Sequence, residues 1–317
     1  MLNHPMQHFN AQATAAALHY PALIDALRAM FISGCEMPPR HVHAVAQADG
    51  APAGTMLLMP AWRPGRFIGL KVVNIFPANA QTELSALHAN YTLFDANTGA
   101  PLAQMDGMQI TTRRTVAASA LAASFLARAD AKRLLIVGAG RVACEVAQAM
   151  RVVRPNIDTI QVWARNPDAA ATMAARLRDA GIAATATREL EAAVRQSDIV
   201  SCATLSTNAL VHGAWLAPGA HLDLIGAFTP AMRESDGACF ARGRVFVDTE
   251  EALLKAGDVL SAIAEATFSA TQLQATLTQL CRGEHPGRRS ADDITVFKSV
   301  GTALEDLAAA ELVWAGR

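Results

Sequence analysis

The chain has 317 residues, of which 52% are hydrophobic and 17% are charged. This length and composition predict more than one globular domain with a sizeable core, and they exclude a largely disordered chain. The 27 Lys+Arg residues nearly balance the 28 Asp+Glu residues, giving a formal net charge of −1. A strongly basic surface is therefore excluded, and we expect no nucleic-acid partner.

The cysteines and the apolar segments indicate the cellular compartment. The five cysteines lie far apart and form no C-x-x-C pair, which disfavours a disulfide framework and a zinc site: Cys35, Cys144, Cys202, Cys239 and Cys281. Residues 1–12 are polar and do not resemble a signal peptide, and the apolar run 116–127 is shorter than the roughly 20 residues that a membrane span needs. We expect a cytoplasmic protein without a membrane partner.

The first third of the chain reads as one helix followed by strands. Pro21 stands in the first turn of a helix whose apolar residues recur at helical spacing, and Gly34 ends it. The strand-like segments that follow are 41–45, 55–59, 67–73, 88–94 and 101–105. Because short turns connect them, they are predicted to be antiparallel, which indicates an α+β domain.

From Thr111 onward the pattern changes to alternating helices and strands. Thr111 or Thr112 is predicted to cap a helix that ends at Leu126. The predicted strands are 134–137, 159–163, 182–185, 199–202, 221–225 and 245–247, with helices at 168–180 and 189–195 between them. Such alternation predicts a parallel sheet between helices. A final helix, Asp292 to Trp314, is expected to pack against the first domain.

The predicted fold class is therefore α/β, with two domains. Residues 116–296 form a Rossmann-type parallel-sheet domain, and residues 1–115 with 297–317 form the α+β domain.

A glycine-rich loop follows the first strand of the predicted parallel sheet. Its sequence, G-x-G-x-x-A, opens a predicted helix, and its residues are Gly138, Ala139, Gly140, Arg141, Val142 and Ala143. Gly138 permits the tight turn, Gly140 lets a pyrophosphate approach the backbone, and Ala143 lets the helix pack on the strand. A glycine-rich turn without a ligand would have the same residues, but the strand–turn–helix context favours a dinucleotide.

The end of the second parallel strand indicates which dinucleotide. An NAD site usually has a carboxylate there, about 20 residues after the loop, to bind the ribose 2′-hydroxyl. Here the strand is followed by Arg165 and Asn166, and Arg165 is suited to a 2′-phosphate. NADP(H) is therefore favoured, and NAD(H) is possible if Arg165 faces solvent or stacks on adenine.

Two further strand ends are expected near the nicotinamide, because ligands of parallel sheets bind at the carboxyl ends of the strands. These ends supply Ala203, Thr204 and Gly226 as candidate cofactor contacts. Cys202 precedes them, and we interpret it as a buried spectator thiol rather than a nucleophile.

Three cations of the first domain are candidate anion-binding residues: Arg40, Lys71 and Arg114. Lys71 stands in an apolar strand, so it either has a buried anionic partner or occupies an edge position from which it reaches water. Arg114 is poorly placed for the helix dipole, which is explained by an anionic ligand or by pairing with Asp106. His41 and His43 share a strand face, but no third ligand stands at a telling spacing, so no metal site is predicted.

Several segments in this order resemble the ornithine cyclodeaminase/mu-crystallin family. They are Pro39-Arg40, Gly69 to Val73 with Pro77 and Asn79, Leu93 to Asp95 with Thr98-Gly99, Ile110 to Thr115, the loop from Gly138 to Ala143, and Ile294 to Gly301. The resemblance covers nearly the whole chain.

This resemblance implies roles for particular residues. It implies a homodimer whose first domain carries the substrate site and the dimer contact. In that domain Arg40, Lys71 and Arg114 would hold a substrate α-carboxylate, with Lys71 as the proton-transfer group. It further implies that Arg165, Asn166 and Lys298 contact a phosphorylated cofactor. One position departs from the family, because Phe228 stands where cyclodeaminases carry an aspartate. Glu234 lies a few residues further on.

The expected activity is reduction of a small cyclic imino acid, of the pyrroline-2-carboxylate or piperideine-2-carboxylate type, by NAD(P)H. Cyclisation of ornithine to proline with loss of ammonia is disfavoured, because Phe228 cannot accept a proton. Two further activities are compatible with the same residues: that of an alanine-dehydrogenase-like amino-acid dehydrogenase, and that of a ligand-binding protein like mu-crystallin that uses NADPH.

Overall fold

A computed structural model describes residues 5–316 of the chain. Met1 to His4, the beginning of the polar N-terminal segment, lie outside the described residues. The chain divides into two compact units, which we call the first unit (residues 1–114 with 302–317) and the second unit (residues 115–301). The predicted α/β class, with a parallel-sheet domain and a second sheet-containing domain, is confirmed.

The first unit is a six-stranded sheet with helices. Its elements are β1 (Gln7–Phe9), α1 (Ala11–Ala17), α2 (Tyr20–Ser33), β2 (His41–Ala46), β3 (Pro52–Arg63), β4 (Phe67–Ile75), β5 (Leu87–Asp95), β6 (Pro101–Asp106), the start of α3 (Gly107–Leu126), and a C-terminal helix, Ala303–Ala315. The strand order is β1-β6-β5-β4-β3-β2. Strands β2 to β6 pair antiparallel as predicted, whereas β1, which the sequence did not indicate, pairs parallel with β6.

Burial alternates along β4, which gives the sheet of the first unit two different faces. Gly69, Lys71 and Val73 are buried, whereas Leu70 and Val72 between them are half-buried. The C-terminal helix covers the buried face, since a Cβ at Gly69 would lie 3.1 Å from the side chain of Leu307. Side chains of alternate strand residues point to opposite faces, so Lys71 points toward that helix.

The second unit is an eight-stranded parallel sheet. Its elements after α3 are β7 (Arg133–Val137), α4 (Ala143–Val153), β8 (Thr159–Trp163), α5 (Pro167–Asp179), β9 (Ala184–Ala186), α6 (Leu190–Gln196), β10 (Ile199–Cys202), β11 (His221–Leu224), α7 (Gly237–Arg242), β12 (Arg244–Val247), α8 (Ala252–Lys255), α9 (Gly257–Ala264), β13 (Ala275–Thr276), α10 (Leu277–Cys281) and β14 (Thr295–Lys298). The order is β13-β12-β14-β11-β10-β7-β8-β9, and all neighbours are parallel. The central strands are buried on both faces, as their continuous apolar sequences predict.

The long helix α3 begins earlier than predicted. It starts at Gly107, because the carboxylate of Asp106 accepts a hydrogen bond of 2.7 Å from the backbone N–H of Gln109. Thr111, predicted as a cap, instead lies inside the helix and donates its hydroxyl hydrogen to the carbonyl of Gly107.

The predicted single helix from Asp292 to Trp314 is wrong. Residues Thr295–Lys298 form β14, between β11 and β12, and the C-terminal helix (α11, Ala303–Ala315) begins only after the Thr302 cap. A short apolar run fits a buried strand and a helix equally well by periodicity alone. Residues 297–301 therefore belong to the second unit rather than to the predicted α+β domain, whereas α11 packs on α2, β3 and β4 as expected.

Among the described residues, no single helix is long and apolar enough to cross a membrane, although α1 and α2, bent by 74°, reach that length and hydropathy as a pair.

Candidate functional site

Lys71 is buried in the first unit and has an anionic partner from the chain itself. Its exposed fraction is 1%, and its Nζ lies 2.8 and 2.7 Å from the two carboxylate oxygens of Asp306 on α11. The ammonium also donates a hydrogen bond of 3.3 Å to the hydroxyl of Thr111. Lys71 is therefore not an edge lysine that faces water, and its buried anionic partner is Asp306.

Arg114 reaches the same carboxylate from α3. Its Nε donates to Asp306 Oδ1 at 2.9 Å, and its Nη1 donates to Glu305 Oε2 at 2.6 Å. Among the described residues no acceptor faces the remaining guanidinium nitrogen, Nη2. The alternative of a pairing with Asp106 is not found among the described residues, because the Asp106 carboxylate accepts from the start of α3 instead. Asp306 and Glu305 thus hold two of the three nitrogens of the guanidinium.

These four side chains form what we call the charge cluster: Lys71, Arg114, Glu305 and Asp306. Both carboxylates are fully buried, and two positive charges face two negative ones. Such a balance is necessary because an unpaired buried charge costs several kcal/mol or more. The cluster can therefore exist at low solvent exposure without a bound ligand.

The pKa of Lys71 is lowered to about 8, chiefly by burial. Asp306 opposes this shift, whereas the positive charges of Arg114 and Arg40 add to it. The pKa of Asp306 is itself held below its usual value, because the attraction of Lys71 and Arg114 outweighs its burial. An ammonium with a pKa near 8 can give up a proton near neutral pH, which an ordinary lysine does poorly.

Arg40 is the third predicted cation. It lies directly before β2, half-buried, and close enough for its charge to lower the pKa of Lys71. Arg40 and Arg114, which come from distant parts of the chain, thus both act on the charge of Lys71.

In the second unit, the glycine-rich loop has the shape that a dinucleotide requires. Gly138 adopts φ of +122°, and a Cβ there would lie 2.5 Å from the carbonyl oxygen of Ala203, so only glycine fits. Gly140 is exposed with open space where a Cβ would stand. Among the described residues, the backbone N–H groups of Ala139, Gly140, Arg141 and Val142 have no acceptor. Free amides at the start of α4 are a binding site for phosphate, and the loop therefore fits a pyrophosphate.

Arg165 and Asn166 follow β8 and are exposed. Arg165 Nη2 donates to the Ser206 hydroxyl at 3.3 Å, which holds the guanidinium beside the ends of the parallel strands. Asn166 caps α5 through its side-chain oxygen, which accepts from the Asp168 N–H at 3.0 Å. The side-chain NH₂ group of Asn166 is not used in that cap.

A buried carboxylate lies beside the ends of β10 and β11. Glu234 is fully buried, and its Oε1 accepts hydrogen bonds from the backbone N–H and from the hydroxyl of Thr204, at 2.6 and 2.8 Å. Gly226 is required here, since a Cβ would overlap the Thr204 carbonyl and the Glu234 carboxylate. Glu234 therefore bonds to Thr204 from inside the second unit.

The resemblance implies that Lys298 contacts the cofactor, but Lys298 is buried in this structure. It lies in the centre of the sheet with an exposed fraction of 0%, and its ammonium donates to the carbonyls of Leu224 and Gly226. Its Nζ also lies 3.5 Å from Asp258 Oδ2. Lys298 thus holds the end of β11 through the carbonyls of Leu224 and Gly226.

Phe228 is half-buried and packs against the core of the second unit. It follows Ala227, which has φ of +51°, a conformation that costs a non-glycine residue roughly 1–2 kcal/mol. Strain at the end of a central strand is typical of a functional segment. Phe228 contributes an apolar surface at the position where the family's cyclodeaminases carry an aspartate.

Two residues of the charge cluster had no signal in the sequence. Glu305 and Asp306 stand in the first turn of α11, where acidic residues are common because they interact with the helix dipole. Only their contacts with Lys71 and Arg114, made from distant parts of the chain, distinguish them from ordinary capping acids.

A metal site is not found in the part of the chain that the structure describes. No group of His, Cys, Asp and Glu side chains there is arranged to hold a metal ion. The rings of His41 and His43 are 6.3 Å apart on an exposed strand.

Comparison with known proteins identifies the family of this chain. The model of the ornithine cyclodeaminase/mu-crystallin family matches residues 9–316. A Delta(1)-pyrroline-2-carboxylate reductase of Paracoccus denitrificans (strain Pd 1222) is 39% identical over 281 residues, covering 86% of this chain and 89% of that protein.

Two solved structures are similar over 98% of this chain. The Thermococcus litoralis Delta(1)-pyrroline-2-carboxylate reductase, in complex with NADH and L-proline, has a TM-score of 0.90 and 30% identity, with 97% of that chain covered. An archaeal alanine dehydrogenase dimer with bound NAD has a TM-score of 0.88 and 27% identity, with 95% covered. The resemblance seen in the sequence is confirmed, and the chain belongs to the ornithine cyclodeaminase/mu-crystallin family.

Proposed function

We propose that this protein is an NAD(P)H-dependent oxidoreductase that reduces the C=N bond of a small cyclic imino acid of the pyrroline-2-carboxylate or piperideine-2-carboxylate type. The observation that carries the proposal is a buried lysine of lowered pKa, Lys71, beside an arginine with one unused nitrogen, Arg114. The Paracoccus and Thermococcus relatives, both named for reduction of pyrroline-2-carboxylate, support it.

The substrate carboxylate binds to Arg114 Nη2 and to Arg40. Arg114 is kept from moving because Asp306 and Glu305 hold its other two nitrogens. A fixed guanidinium orients the carboxylate at little entropic cost, and orientation of this kind can lower a barrier by up to about 7–11 kcal/mol.

Lys71 supplies the proton. Reduction adds a hydride to the C=N carbon and a proton to the nitrogen, so the amine that forms has one new C–H and one new N–H bond. Asp306 and Thr111 orient the ammonium of Lys71, and burial makes it a stronger acid than a lysine in water.

A nicotinamide cofactor supplies the hydride when it is bound. Its pyrophosphate fits the free amides of the loop from Ala139 to Val142, and Gly138 gives the turn its shape. Three residues at the carboxyl ends of β10 and β11 would contact the nicotinamide half: Ala203, Thr204 and Gly226. Ala143 brings α4 close to the sheet, and Lys298 acts through Gly226 rather than by direct contact.

Within this function we further propose that NADP(H) is preferred over NAD(H). Arg165 and Asn166 stand exposed after β8, where a carboxylate would bind the ribose of NAD, and Arg141 adds a second exposed cation in the loop. A 2′-phosphate would be bound by charge-assisted hydrogen bonds from Arg165. The Thermococcus and archaeal neighbours contain NADH or NAD, so NAD(H) is the competing cofactor to be tested.

Amino-acid dehydrogenation is the second candidate, because the archaeal neighbour is an alanine dehydrogenase. It uses the same carboxylate and proton-transfer residues in the oxidative direction. Cyclisation of ornithine is disfavoured, because Phe228 cannot accept a proton and Glu234, fully buried, bonds to Thr204 instead.

The test is cofactor oxidation, followed by loss of the dihydronicotinamide absorbance, with a panel of five- and six-membered ketimine acids. NADPH and NADH are compared in parallel, and acyclic 2-oxo acids with ammonia serve as the second substrate class. We expect the cyclic imines to give the highest kcat/KM. Faster turnover of the acyclic class would favour the dehydrogenase, ammonia release from ornithine without added reductant would favour the cyclodeaminase, and tight binding without turnover would favour a ligand-binding protein like mu-crystallin.

We also propose that the protein is a homodimer that associates through the half-buried face of the first unit's sheet. On that face Leu58, Pro60 and Trp62 of β3 pair with Val72, Leu70 and Ile68 of β4, all half-buried. An apolar sheet face of this kind is typical of a protein interface, and the archaeal neighbour is a dimer.

The dimer is tested with a matched pair of charge substitutions. Leu70→Asp should give a monomer by light scattering, whereas Leu254→Asp, at an exposed leucine of the second unit, should leave a dimer. A monomeric wild-type protein contradicts this proposal.

The cytoplasm is the compartment that we propose. All five cysteines are free thiols in the structure, and two of them, Cys202 and Cys239, are buried. Free thiols of this number persist in a reducing compartment. Fractionation of cells that express the tagged full chain tests this placement.

A further inference from the structure

Glu234 is a fully buried carboxylate at the strand ends of the second unit, and the proposed transfer of hydride and proton does not use it. Its Oε1 takes two hydrogen bonds from Thr204, one from the backbone and one from the hydroxyl. Its other oxygen, Oε2, is buried and has no hydrogen-bond partner among the described residues. A buried carboxylate is costly and requires a reason to be there.

Thr204 lies directly behind the glycine turn. A Cβ on Gly138 would lie 2.5 Å from the Ala203 carbonyl oxygen and 3.3 Å from the Thr204 side chain. The backbone at Ala203 and Thr204 therefore fills the space behind the turn. Any movement of Thr204 changes the shape of the turn that is to receive the pyrophosphate.

Thr204 is also connected to the opposite end of the cofactor site. The backbone N–H of Ser206 donates to the Thr204 hydroxyl at 3.2 Å, and the Ser206 hydroxyl accepts from Arg165 at 3.3 Å. One short segment, residues 203–206, thus contacts both the glycine turn and the candidate phosphate-binding arginine. Glu234 is the buried group that fixes this segment.

We propose that Glu234 is a positioning residue of the cofactor site, whose carboxylate holds Thr204, and with it the Gly138 turn and Ser206, in the conformation that binds the cofactor. This inference rests on the proposed binding of NAD(P)H. It assigns Glu234 a role in affinity for the cofactor and none in proton transfer to the substrate.

The charged and titratable groups around Glu234 come from three elements. They are Lys298 on β14, Asp258 on α9 and Cys202 on β10. Asp258 Oδ1 accepts from the backbone N–H of Glu234 at 2.8 Å, and Lys298 lies 3.5 Å from Asp258 Oδ2. Lys298 thus pairs with Asp258, and its positive charge also acts on Glu234.

The pKa of Glu234 is raised toward neutral pH. Burial raises its pKa to about 7, with a further contribution from Asp258, whereas Lys298 and the bonds from Thr204 oppose the rise. The ionised carboxylate accepts hydrogen bonds that are about twice as strong as those to a neutral acceptor. A proton on Glu234 therefore loosens Thr204, and we expect cofactor affinity to fall as the pH drops through about 7.

The experiment measures the Kd of NADH and of NADPH by fluorescence titration, between about pH 6 and 9, for the wild type and three variants. Glu234→Gln mimics the protonated acid, and we expect roughly tenfold weaker binding of both cofactors at pH above the pKa, and no pH dependence through the neutral range. Thr204→Val removes only the hydroxyl bonds, so we expect an intermediate loss with the pH dependence kept. Glu191→Gln removes a carboxylate from an exposed pair with Arg195 and should bind within about twofold of wild type.

Wild-type affinity and pH dependence in Glu234→Gln would overturn the inference. If Glu234→Gln does not fold, the test uses Thr204→Val and the wild-type protein. The inference is then overturned if Thr204→Val binds the cofactors with wild-type Kd and the Kd of the wild type does not change with pH. A wild-type protein that binds neither NADH nor NADPH contradicts the proposed function itself, which is a different outcome from cofactor binding that is indifferent to Glu234.

Discussion

The glycine turn of the second unit and the charge cluster of the first unit are built in opposite ways. The turn is local: the consecutive residues from Gly138 to Ala143 supply backbone amides and the space above them. The cluster is assembled from β4, α3 and α11, with Lys71 and Asp306 separated by 235 positions in the chain. The turn acts through its backbone, whereas the cluster acts through charged side chains.

This difference predicts different sensitivity to substitution. The amides of the turn remain when most side chains change, as long as the two glycines stay small. In the cluster, removal of one charge leaves its partner buried and unpaired, which typically costs about 3–5 kcal/mol. Substitutions in the charge cluster should therefore reduce activity more than substitutions in the turn, and variants at both places test that contrast.

The largest expected effect is that of Lys71→Met. Methionine retains the apolar part of the side chain but cannot supply a proton, and the contribution of a general acid is about 100-fold to 10,000-fold. We expect kcat for imine reduction to fall by about 100-fold or more, with the Kd of NADPH unchanged, because the turn is in the other unit. Steady-state kinetics and fluorescence titration of the same preparation check this. Full activity would remove Lys71 from the mechanism.

Asp306→Asn and Glu305→Gln form a matched pair within the cluster. Lys71 must be protonated to donate, so the wild-type rate of reduction should decline as the pH rises through about 8. Asp306 raises the pKa of Lys71, so its loss should move this decline to lower pH, by about one unit. Glu305 contacts Arg114 and not Lys71, so Glu305→Gln should weaken substrate binding and leave the pH of the decline in place.

The pH dependence of kcat for both variants separates this effect from a loss of structure, which a melting curve records independently. Equal shifts in Asp306→Asn and Glu305→Gln, or no shift in either, would show that Asp306 does not tune Lys71. The opposite sign, a decline moved to higher pH, would contradict the assignment of Lys71 as the acid.

A smaller effect is expected at Arg165, because it is exposed and binds a side group of the cofactor. Arg165→Ser should raise the Kd of NADPH by about tenfold and the Kd of NADH by less than about twofold, as expected for loss of one charge-assisted contact to a phosphate. Arg151→Ser, at an exposed arginine in the last turn of α4, is the control and should change neither Kd. Equal losses for both cofactors would favour stacking of Arg165 on adenine and would remove the reason for an NADP preference.

The bounds of several parallel strands and the position of the glycine turn could be predicted closely, because they depend on neighbouring residues in the chain. The predicted bounds of β8 and β10 agree with the structure, because short apolar runs between turn formers have few other conformations in a parallel sheet. The strand β14 could not be distinguished from the helix that follows, since its residues Thr295–Lys298 also continue a helical stripe. Pairing with β11 and β12, far away in the chain, decides in favour of a strand.

The candidate site divides in the same way. The sequence identified Lys71 as a residue that needs either an anionic partner or an edge position, but it could not identify Asp306, whose position in the first turn of α11 is typical of any helix. Lys298 could not be located from the sequence either: its matching segment suggested a cofactor contact, and only the structure shows that it is buried between β11 and β12.

By itself, the sequence determined the class of fold, the dinucleotide turn and the three cations of the first domain. These depend on periodicity, on glycine's conformational freedom and on the cost of a charge in an apolar strand, all of which act over a few neighbouring residues. Only the tertiary structure decided that Asp306 neutralises Lys71 and that Glu234 supports Thr204. Contacts between side chains from distant segments follow from how the elements pack, and no local pattern of residues encodes that packing.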